Sequence, residues 1–324
     1  MVSSYVGIDV SKATLEIAWA GKAATKQFRN TPGGRNALLS ALQAACALAE
    51  VQVVLEPTST YHHHLVQALA TAGVAYTLSN PARTAAYARM QGSRAKTDKA
   101  DAKLLAAYGA SQQPKASPSP DEAQERLKAL RRHKEWLDEQ AQAARNRLEA
   151  AQHSPWTPPT VIKSLKRTVR DMEREAKETQ EAVEQLVAQE ERWQQEIELL
   201  DSIPGIGPQT AVLLISEMPS VQSCTSPKQW VAFCGVNPAP RESGKRKTSQ
   251  LSRAGVSQVR AGLYFPTLSS MRFNPVIQPF NQRLEAAGKL GKVRVMAAMN
   301  KLLHLCFAIL KRGTPFVLSL PSSS

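Results

Sequence analysis

Residues 4–10 read SYVGIDV, a β-branched and aromatic run that places Asp9 next to its end. Such a run predicts a buried strand. Two more strand-like runs follow near residues 14–20 and 24–29, close enough in sequence to form an antiparallel meander with the first. After a helical stretch over 33–49, the sequence VQVVLE at 51–56 predicts another buried strand, with Glu56 at its end.

Helical and strand patterns alternate in the segment after this last strand. We expect a helix over 60–73, a strand over 74–79, and helices over 81–90 and 98–110. Three strands followed by this alternation predict an α/β fold with a mixed sheet. The same order of elements occurs in RNase H-like folds.

The remainder of the chain predicts mostly helices. The stretch QQPKASPSPD at 112–121 is rich in proline and serine and reads as a linker. Two long helices, over 121–152 and 159–200, favour a helical hairpin or coiled coil. The last part is helix-rich and is broken by one basic loop at 237–253. The predicted fold class is therefore α/β plus α, with domains at 1–111, 112–200 and 201–324.

The charge of the chain indicates its class of partner. Its 324 residues include 41 Lys and Arg against 27 Asp and Glu, a net charge of +14. Such an excess favours a polyanionic partner, of which nucleic acid is the first choice. Within 201–324 there are 15 basic and four acidic residues, so the excess is concentrated there.

Several classes of protein are disfavoured by the sequence. No apolar run approaches the ~18 residues of a membrane span, and the N-terminus lacks a secretory signal pattern. We therefore expect a protein of the cytoplasm with no membrane partner. None of the cysteines lies in a CxxC pair, which disfavours a zinc finger and a disulfide framework. The cysteines are Cys46, Cys224, Cys234 and Cys306.

Four carboxylates stand out because the first 120 residues contain only six. Asp9 and Glu56 lie at predicted strand ends, and Asp98 and Asp101 share one face of a predicted helix. If the four converge, their repulsion needs a divalent cation with oxygen ligands, Mg²⁺ or Mn²⁺. The alternatives are structural: Asp9 in a turn, Glu56 as a loop acid, and Asp98 as a helix N-cap.

A run of histidines at 62–64 resembles a metal-binding cluster at first sight. Adjacent residues on a helix point about 100° apart, so three in a row cannot easily share one ion. We interpret the run as a partly exposed helix start.

The basic stretch PRESGKRKTSQLSR at 240–253 predicts a phosphate-binding loop. Its cations could stabilise a phosphoryl transition state, and Ser243, followed by Gly244, could act as a nucleophile. Ser249 and Ser252 are physically comparable. The alternative for all three serines is backbone hydrogen bonding in a loop.

The stretch SIPGIG at 202–207 resembles the hairpin of a helix-hairpin-helix motif. Backbone N–H groups in such a hairpin can bind phosphate without reading sequence. A tight glycine turn between two packed helices is the alternative.

Taken together, these stretches resemble the bridge-RNA-guided DEDD/serine transposases of bacterial insertion sequences. The family's usual Glu-Ala-Thr-Gly is replaced by EPTS at 56–59, and the histidine run is unusual for the family. The matching stretches, which keep the family's order over nearly the whole chain, are GIDVSK (7–12), EPT (56–58) with Tyr61, NP (80–81), KTDKADA (96–102), IPGIG (203–207), FCG (233–235), Pro238 with ESG (242–244), SRAG (252–255) and GKLGK (288–292).

The resemblance implies a RuvC-like N-terminal domain with the RNase H fold, a coiled coil and a C-terminal transposase domain. Asp9, Glu56, Asp98 and Asp101 would hold Mg²⁺ or Mn²⁺, and Ser243 would form a transient 5′-phosphoserine bond with DNA. The partners would be donor and target DNA, a bridge RNA, and further copies of the chain in dimers and tetramers. The resemblance also implies a bacterial protein that is associated with the nucleoid. The residues expected to contact nucleic acid are Lys12, Arg94, Lys96, Gly205, Gly207, Arg241, Lys245, Arg246, Lys247 and Arg253.

Two other functions stay open. A structure-selective endonuclease such as a junction resolvase would use the four carboxylates and water, and would not need Ser243. A nucleic-acid-binding scaffold with a degenerate site would lack Mg²⁺-dependent nicking.

Overall fold

A mixed β-sheet organises the first part of the chain. In the described residues its strands lie in the order β3-β2-β1-β4-β5. The first three are antiparallel neighbours, whereas β4 and β5 run parallel to β1. The predicted meander and mixed α/β sheet are therefore confirmed. The strands are β1 (Ser4–Val10), β2 (Thr14–Trp19), β3 (Thr25–Arg29), β4 (Val51–Leu55) and β5 (Ala75–Leu78).

The computed structural model describes residues 2, 4–57, 59–92, 97–243, 246–251 and 255–317, and within 238–251 it describes only the backbone. The chain divides into two units, Met1–Asp121 and Glu122–Ser324. The first unit holds the mixed sheet, and the second holds the long helices and the C-terminal part.

Helices cover both faces of the mixed sheet. Buried residues of β1 and β2, such as Ile8 and Ile17, share one apolar core with Leu38 and Leu65 from two of the helices. Val54 packs on the opposite face with Tyr87 and Leu105, which belong to the other two helices. The helices of this unit are α1 (Pro32–Ala45), α2 (His63–Thr71), α3 (Pro81–Met90) and α4 (Asp98–Gln112). The helix predicted over 33–49 ends at Ala45, and residues 48–50 form a short 3₁₀ turn.

Glycine allows α4 to lie directly against the sheet. A Cβ on Gly7 would stand 2.1 Å from the carbonyl oxygen of Ala102 and 2.3 Å from the amide nitrogen of Ala106. Ala18 joins these two alanines in a seam of small buried residues. Because Ala102 meets Gly7, the first turn of α4 is carried toward the Asp9 end of β1.

The second unit begins with the predicted helical hairpin, which is confirmed. Its helices, α5 (Glu122–Gln152) and α6 (Pro159–Gln189), pack along each other. Arg145 Nη2 lies 2.7 Å from Glu173 Oε1 across the pair, as antiparallel helices require. The residues buried in the hairpin include Leu127, Leu137, Ala141, Ala144, Ala176 and Val183.

The second long helix, predicted as continuous over 159–200, is broken at Glu190. This residue has φ −114° and ψ 95°, and α7 (Glu191–Asp201) begins after it. The side chain of Gln194 donates to the carbonyl oxygen of Ala188 at 2.7 Å, which satisfies a group left free by the break. The break lets Trp193, 1 % exposed, enter the C-terminal core. The free energy gained by burying this large aromatic side chain outweighs the cost of interrupting the helix that the sequence pattern predicts.

The C-terminal helices form one core together with the base of the α5–α6 hairpin. Leu127 and Val183 of the hairpin belong to this core, as do Leu302 and Cys306. The helices are α8 (Pro208–Glu217), α9 (Pro227–Cys234), α10 (Ser257–Gly262), α11 (Tyr264–Phe273), α12 (Ile277–Ala286) and α13 (Gly291–Arg312). By length and composition alone α13 could cross a membrane, so the expectation that no such run exists was wrong. Its apolar residues instead fill the core of this unit.

The basic stretch predicted as a loop is a β-hairpin, which corrects the sequence prediction. Strand β6 (Pro238–Ser243) pairs antiparallel with β7 (Arg246–Leu251). The two strands of this ribbon are held by backbone hydrogen bonds. They do not need the alternating apolar residues by which a strand is usually recognised in a sequence. Beyond the ribbon, Gly255 has φ +129°, and a Cβ there would stand 2.5 Å from the amide nitrogen of Gly235. Only glycine allows this close approach.

Candidate active site

Asp9 is the centre of the carboxylate group in the first unit. It is half-buried next to the end of β1, on the α4 side of the sheet that Gly7 also faces. The pKa of Asp9 is raised to about 6, mainly by burial and further by the negative charges of Asp98, Asp101 and Glu56. The fold therefore brings the four predicted carboxylates together, although they are far apart in sequence.

The first turn of α4 supplies two of these carboxylates. The N-cap is Thr97, whose Oγ1 accepts a hydrogen bond from the amide of Ala100 at 3.2 Å. The alternative in which Asp98 caps the helix is therefore wrong, and its carboxylate is not used for capping. Asp98 is exposed and Asp101 is half-buried. The positive end of the helix dipole favours both charges.

Glu56 follows β4 directly and is held by a residue that sequence analysis missed. Thr84 of α3, only 1 % exposed, donates a hydrogen bond from Oγ1 to Glu56 Oε1. The start of α3 is fixed by Asn80, whose side chain accepts from the amide of Ala82 at 2.8 Å, and by Pro81 in its first turn. The Asn-Pro pair of the sequence thus places Thr84, but no local pattern marks a helical threonine as a partner of Glu56.

Asn30 ties together the two loops beside Asp9 and Glu56. Its Nδ2 donates to the carbonyl oxygens of Ser11 at 3.0 Å and Tyr61 at 3.1 Å. Its Oδ1 accepts from Arg35 Nη1 at 3.0 Å. Lys12, a predicted nucleic-acid contact, is exposed in the turn after β1. Asn30 was also missed, because its partners become neighbours only in the folded chain.

The loop after Glu56 carries a strained residue. Ser59 has φ +50°, in the left-handed region, at the position where the resembling family usually has glycine. This conformation costs a residue with a side chain about 1–2 kcal/mol. The departure from the family pattern therefore acts on the backbone behind Glu56 and leaves the carboxylate itself in place.

The four carboxylates fit a hard divalent cation by their chemistry. Their donors are all oxygens, which suit Mg²⁺ or Mn²⁺. Burial and the neighbouring acids raise the pKa of Asp9, and a bound cation would offset this effect. Among the described residues, no three His, Cys, Asp or Glu side chains stand close enough to form a finished metal site. The structure thus shows a convergent acidic group, and its use as a metal site stays a prediction.

Ser243 ends strand β6 and pairs with Arg246, the first residue of β7. Arg241 pairs with Thr248 and Lys247 with Glu242, and only their backbone is described. The role of Ser243 as nucleophile stays a prediction. Five residues named in the predictions lie outside the described part of the chain: Arg94, Lys96, Lys245, Ser252 and Arg253.

The glycine turn between α7 and α8 has a clear packing role. Gly205 has φ +102°, and a Cβ there would stand 2.0 Å from Ser270 Oγ. The side chains of Ser270 and Asn274 donate to the carbonyl oxygen of Pro204 at 3.1 and 3.0 Å. These contacts favour the tight-turn interpretation for Gly205. A Cβ on Gly207 would meet no atom within 4 Å, and phosphate binding at this turn stays a prediction.

The histidine run is the start of α2, as predicted. His63 and His64 are exposed, whereas His62 is 6 % exposed. The rings of His62 and His63 meet edge to face at 4.5 Å.

Comparison with known proteins identifies the class first. A family model of DEDD type described as "Transposase" matches residues 6–153. The protein is therefore a transposase, an enzyme that acts on DNA. A second model, described as "Transposase IS116/IS110/IS902 family", matches residues 197–282. The chain belongs to the IS110 family of transposases. This confirms the resemblance at the level of the family, and the DEDD domain implies an RNase H-like fold, in agreement with the strand order.

Relatives of full length are also found. The chain is similar to a protein named "Pilin gene-inverting protein" from Moraxella bovis, with 28% identity over 333 positions that cover 98% of each chain. The protein of the same name from Moraxella lacunata shows the same identity and coverage. An uncharacterized 43.6 kDa protein of insertion element IS110 from Streptomyces coelicolor is 22% identical over 125 residues, 38% of this chain and 31% of that protein.

Proposed function

We propose that this transposase is a site-specific recombinase that cuts and rejoins DNA strands through a covalent bond to Ser243, with Mg²⁺ or Mn²⁺ held by the four carboxylates. The observation that carries the proposal is the acidic surroundings of Asp9, which three other carboxylates share. The full-length relatives named as gene-inverting proteins support rejoining, because inversion of a DNA segment requires that every cut strand is sealed again.

The proposed chemistry consists of two transesterifications. In the first, Ser243 Oγ attacks the phosphorus of a phosphodiester, the P–O3′ bond breaks, and the serine proton is lost while the departing 3′ oxygen gains one. In the second, a 3′-hydroxyl of the exchange partner attacks the same phosphorus, and Ser243 leaves with a proton. Each step exchanges one phosphate ester for another, so no nucleotide cofactor is needed.

The residues of the first unit have separate tasks in this scheme. Asp9, Glu56, Asp98 and Asp101 would hold the cation, which when bound supplies positive charge against the charge that develops on the phosphoryl oxygens. Thr84 fixes one carboxylate oxygen of Glu56. Asn30 keeps the two neighbouring loops together. Gly7 lets α4 approach closely enough for its aspartates to reach Asp9.

The partners follow from the charge and from the family resemblance. The basic excess of the second unit suits nucleic-acid backbones. We propose that donor and target DNA are recognised through a bridge RNA, and that copies of the chain assemble as dimers and tetramers through a coiled coil formed by the α5–α6 hairpin. We place this activity in the bacterial cytoplasm.

The decisive experiment traps the covalent intermediate. Protein, guide RNA transcribed from the flanking element, and labelled target and donor DNA are incubated with Mg²⁺, denatured, and resolved for a protein–DNA adduct. We expect an adduct with the wild type and none with Ser243→Ala or Asp98→Asn. Ser249→Ala, in the other strand of the same ribbon, is the matched control and keeps the adduct.

Other outcomes would point to other functions. Cleavage without an adduct that persists in Ser243→Ala would identify a hydrolytic, junction-resolving nuclease. Adduct formation without RNA would remove the guide from the proposal. Binding without any Mg²⁺-dependent nicking would leave only a nucleic-acid scaffold.

A further inference from the structure

Glu16 is a buried carboxylate outside the predicted four. It lies in β2 and is 2 % exposed. Its Oε2 is buried and has no hydrogen-bond partner among the described residues. An ionised carboxylate taken out of water without a partner is costly, and proteins ordinarily pair such a group or give it a metal.

The register of the sheet places Glu16 beside the acidic group. Glu16 is the direct partner of Asp9 across the antiparallel β1–β2 pair. Residues that oppose each other in this way share a face of the sheet, with Cβ atoms about 4.5–5.5 Å apart. The next pair on that face is Gly7 with Ala18, and α4 covers both. Glu16 therefore lies on the same side of the sheet as Asp9 and the aspartates of α4.

Two independent observations thus concern the same place. The first is a half-buried aspartate surrounded by three further carboxylates. The second is the unpartnered oxygen of Glu16, a residue nearly inaccessible to water that pairs with that aspartate across β1 and β2. Carboxylate oxygens are the ligands that a hard divalent cation prefers, and one such ion would give a partner to both residues.

We infer that Glu16 is a fifth carboxylate of the cation site, and that it strengthens the hold of the site on a divalent ion. This inference rests on the proposed function, since it assumes that the four carboxylates hold such an ion. It adds a residue whose task is to bind the ion tightly, and it explains why the chain tolerates a buried, unpartnered glutamate in a central strand.

The test measures metal binding directly, without DNA or turnover. Free Mn²⁺ is followed by electron paramagnetic resonance while it is titrated with the full-length protein. We expect Glu16→Gln, which keeps the shape but loses the charge, to weaken Mn²⁺ binding at least tenfold. Glu50→Gln is the matched control, because Glu50 is an exposed glutamate at the opposite end of β4 from Glu56. Its affinity should equal that of the wild type.

The outcomes separate this inference from the proposed function. If Asp98→Asn weakens Mn²⁺ binding but Glu16→Gln does not, Glu16 has no part in the site and only this inference fails. If the wild type binds no Mn²⁺, the proposed cation site fails, and the role of Glu16 fails with it. Circular dichroism checks the fold. Should Glu16→Gln not fold, Glu16→Met of similar length takes its place, judged by the same tenfold criterion.

Discussion

Two acids, one in each unit, lie in opposite surroundings: Glu217 is buried and Asp9 is half-buried. Glu217 at the end of α8 has a side chain that is 1 % exposed, and Arg132 Nε and Nη2 lie 2.7 and 2.8 Å from its two oxygens. Burial raises the pKa of Glu217, but hydrogen bonds from Arg132 and Arg131 outweigh this, so the pKa lies below its ordinary value. Asp9 is surrounded by acids, and its pKa is raised to about 6.

The two acids differ in what surrounds them. Glu217 receives its positive charges from within the chain, and the resulting cluster joins α5 of the hairpin to α8 of the C-terminal core. The pKa of Asp9 is raised by burial and by the acids around it, and under the proposed function a bound cation supplies the compensating charge. A buried carboxylate is therefore informative through its partners, because burial alone does not distinguish the two cases.

The largest expected effect comes from Asp9→Asn. The substitution removes the central negative charge of the acidic group, and we expect DNA cleavage to fall by roughly 1000-fold or more. The fold should persist, because the lost charge was repelled by its neighbours. Mg²⁺-dependent nicking of labelled DNA measures the loss, with Glu50→Gln as the control. Full activity in Asp9→Asn would make the acidic group structural.

Glu217→Gln tests how much the ion pairs of the buried acid in the second unit contribute to stability. It leaves Arg131, whose side chain is 13 % exposed, and Arg132, whose side chain is 42 % exposed, without their shared carboxylate. Breaking such a cluster should lower the free energy of unfolding by about 3 kcal/mol. Urea unfolding measures the change. Glu135→Gln is the matched control, because Glu135 pairs with Arg131 at a half-exposed position and should cost well under 1 kcal/mol. Equal losses in the two variants would contradict the assignment.

Gly7→Ala should disrupt the acidic group by displacing α4, without removing a charged side chain. The new Cβ would collide with backbone atoms of α4, so the helix must move away from the sheet. We expect a loss of about 2 kcal/mol in the free energy of unfolding, together with weaker cleavage as the aspartates of α4 move from Asp9. Gly33→Ala, where a Cβ meets no atom within 4 Å, should change neither quantity. Thermal unfolding and nicking assays provide the two readings.

The smallest of these effects is the difference between Asp9 and Glu217 in how each makes the free energy of unfolding depend on pH. It is measured without divalent cations. The folded-state pKa of Asp9, about 6, exceeds its ordinary value of 3.8, so the folded state takes up a proton as pH falls from 7 to 5. The wild type should gain about 1 kcal/mol over this range relative to Asp9→Asn, after allowance for solvent screening at a half-buried group. Glu217 acts oppositely, since its stabilisation is present above the ordinary pKa of 4.5 and is lost as pH falls below it. Urea unfolding at several pH values checks both signs.

Local pattern predicted the elements that carry most of the acidic group. The β-branched and aromatic run SYVGIDV predicted β1 with the bounds observed, and most residues of this strand are buried. The three-residue spacing of Asp98 and Asp101 placed them correctly in one turn of α4. The N-cap of α4 is Thr97, one residue before Asp98, which was the alternative N-cap. Because Thr97 caps the helix, the carboxylate of Asp98 is not used for capping.

Other features depend on contacts between segments far apart in sequence, and no local sequence pattern predicts them. The hydrogen bond from Thr84 to Glu56 joins a helix and a strand end that are 28 residues apart. The break at Glu190 follows from the burial of Trp193 in a core formed largely by later helices. The β6–β7 ribbon is held by backbone pairing, which side-chain pattern does not report.

The class of the protein follows from its basic charge, its scarce carboxylates, its element order and the motifs that identify the transposase family. These features depend on composition and short-range spacing, which can be read from the linear chain. Which acids lie close together depends on tertiary contacts. The register of β1 with β2 set Glu16 against Asp9, and the absence of a side chain at Gly7 let α4 bring its aspartates to the same place. Electrostatic coupling depends on distance in space, and folding alone sets that distance.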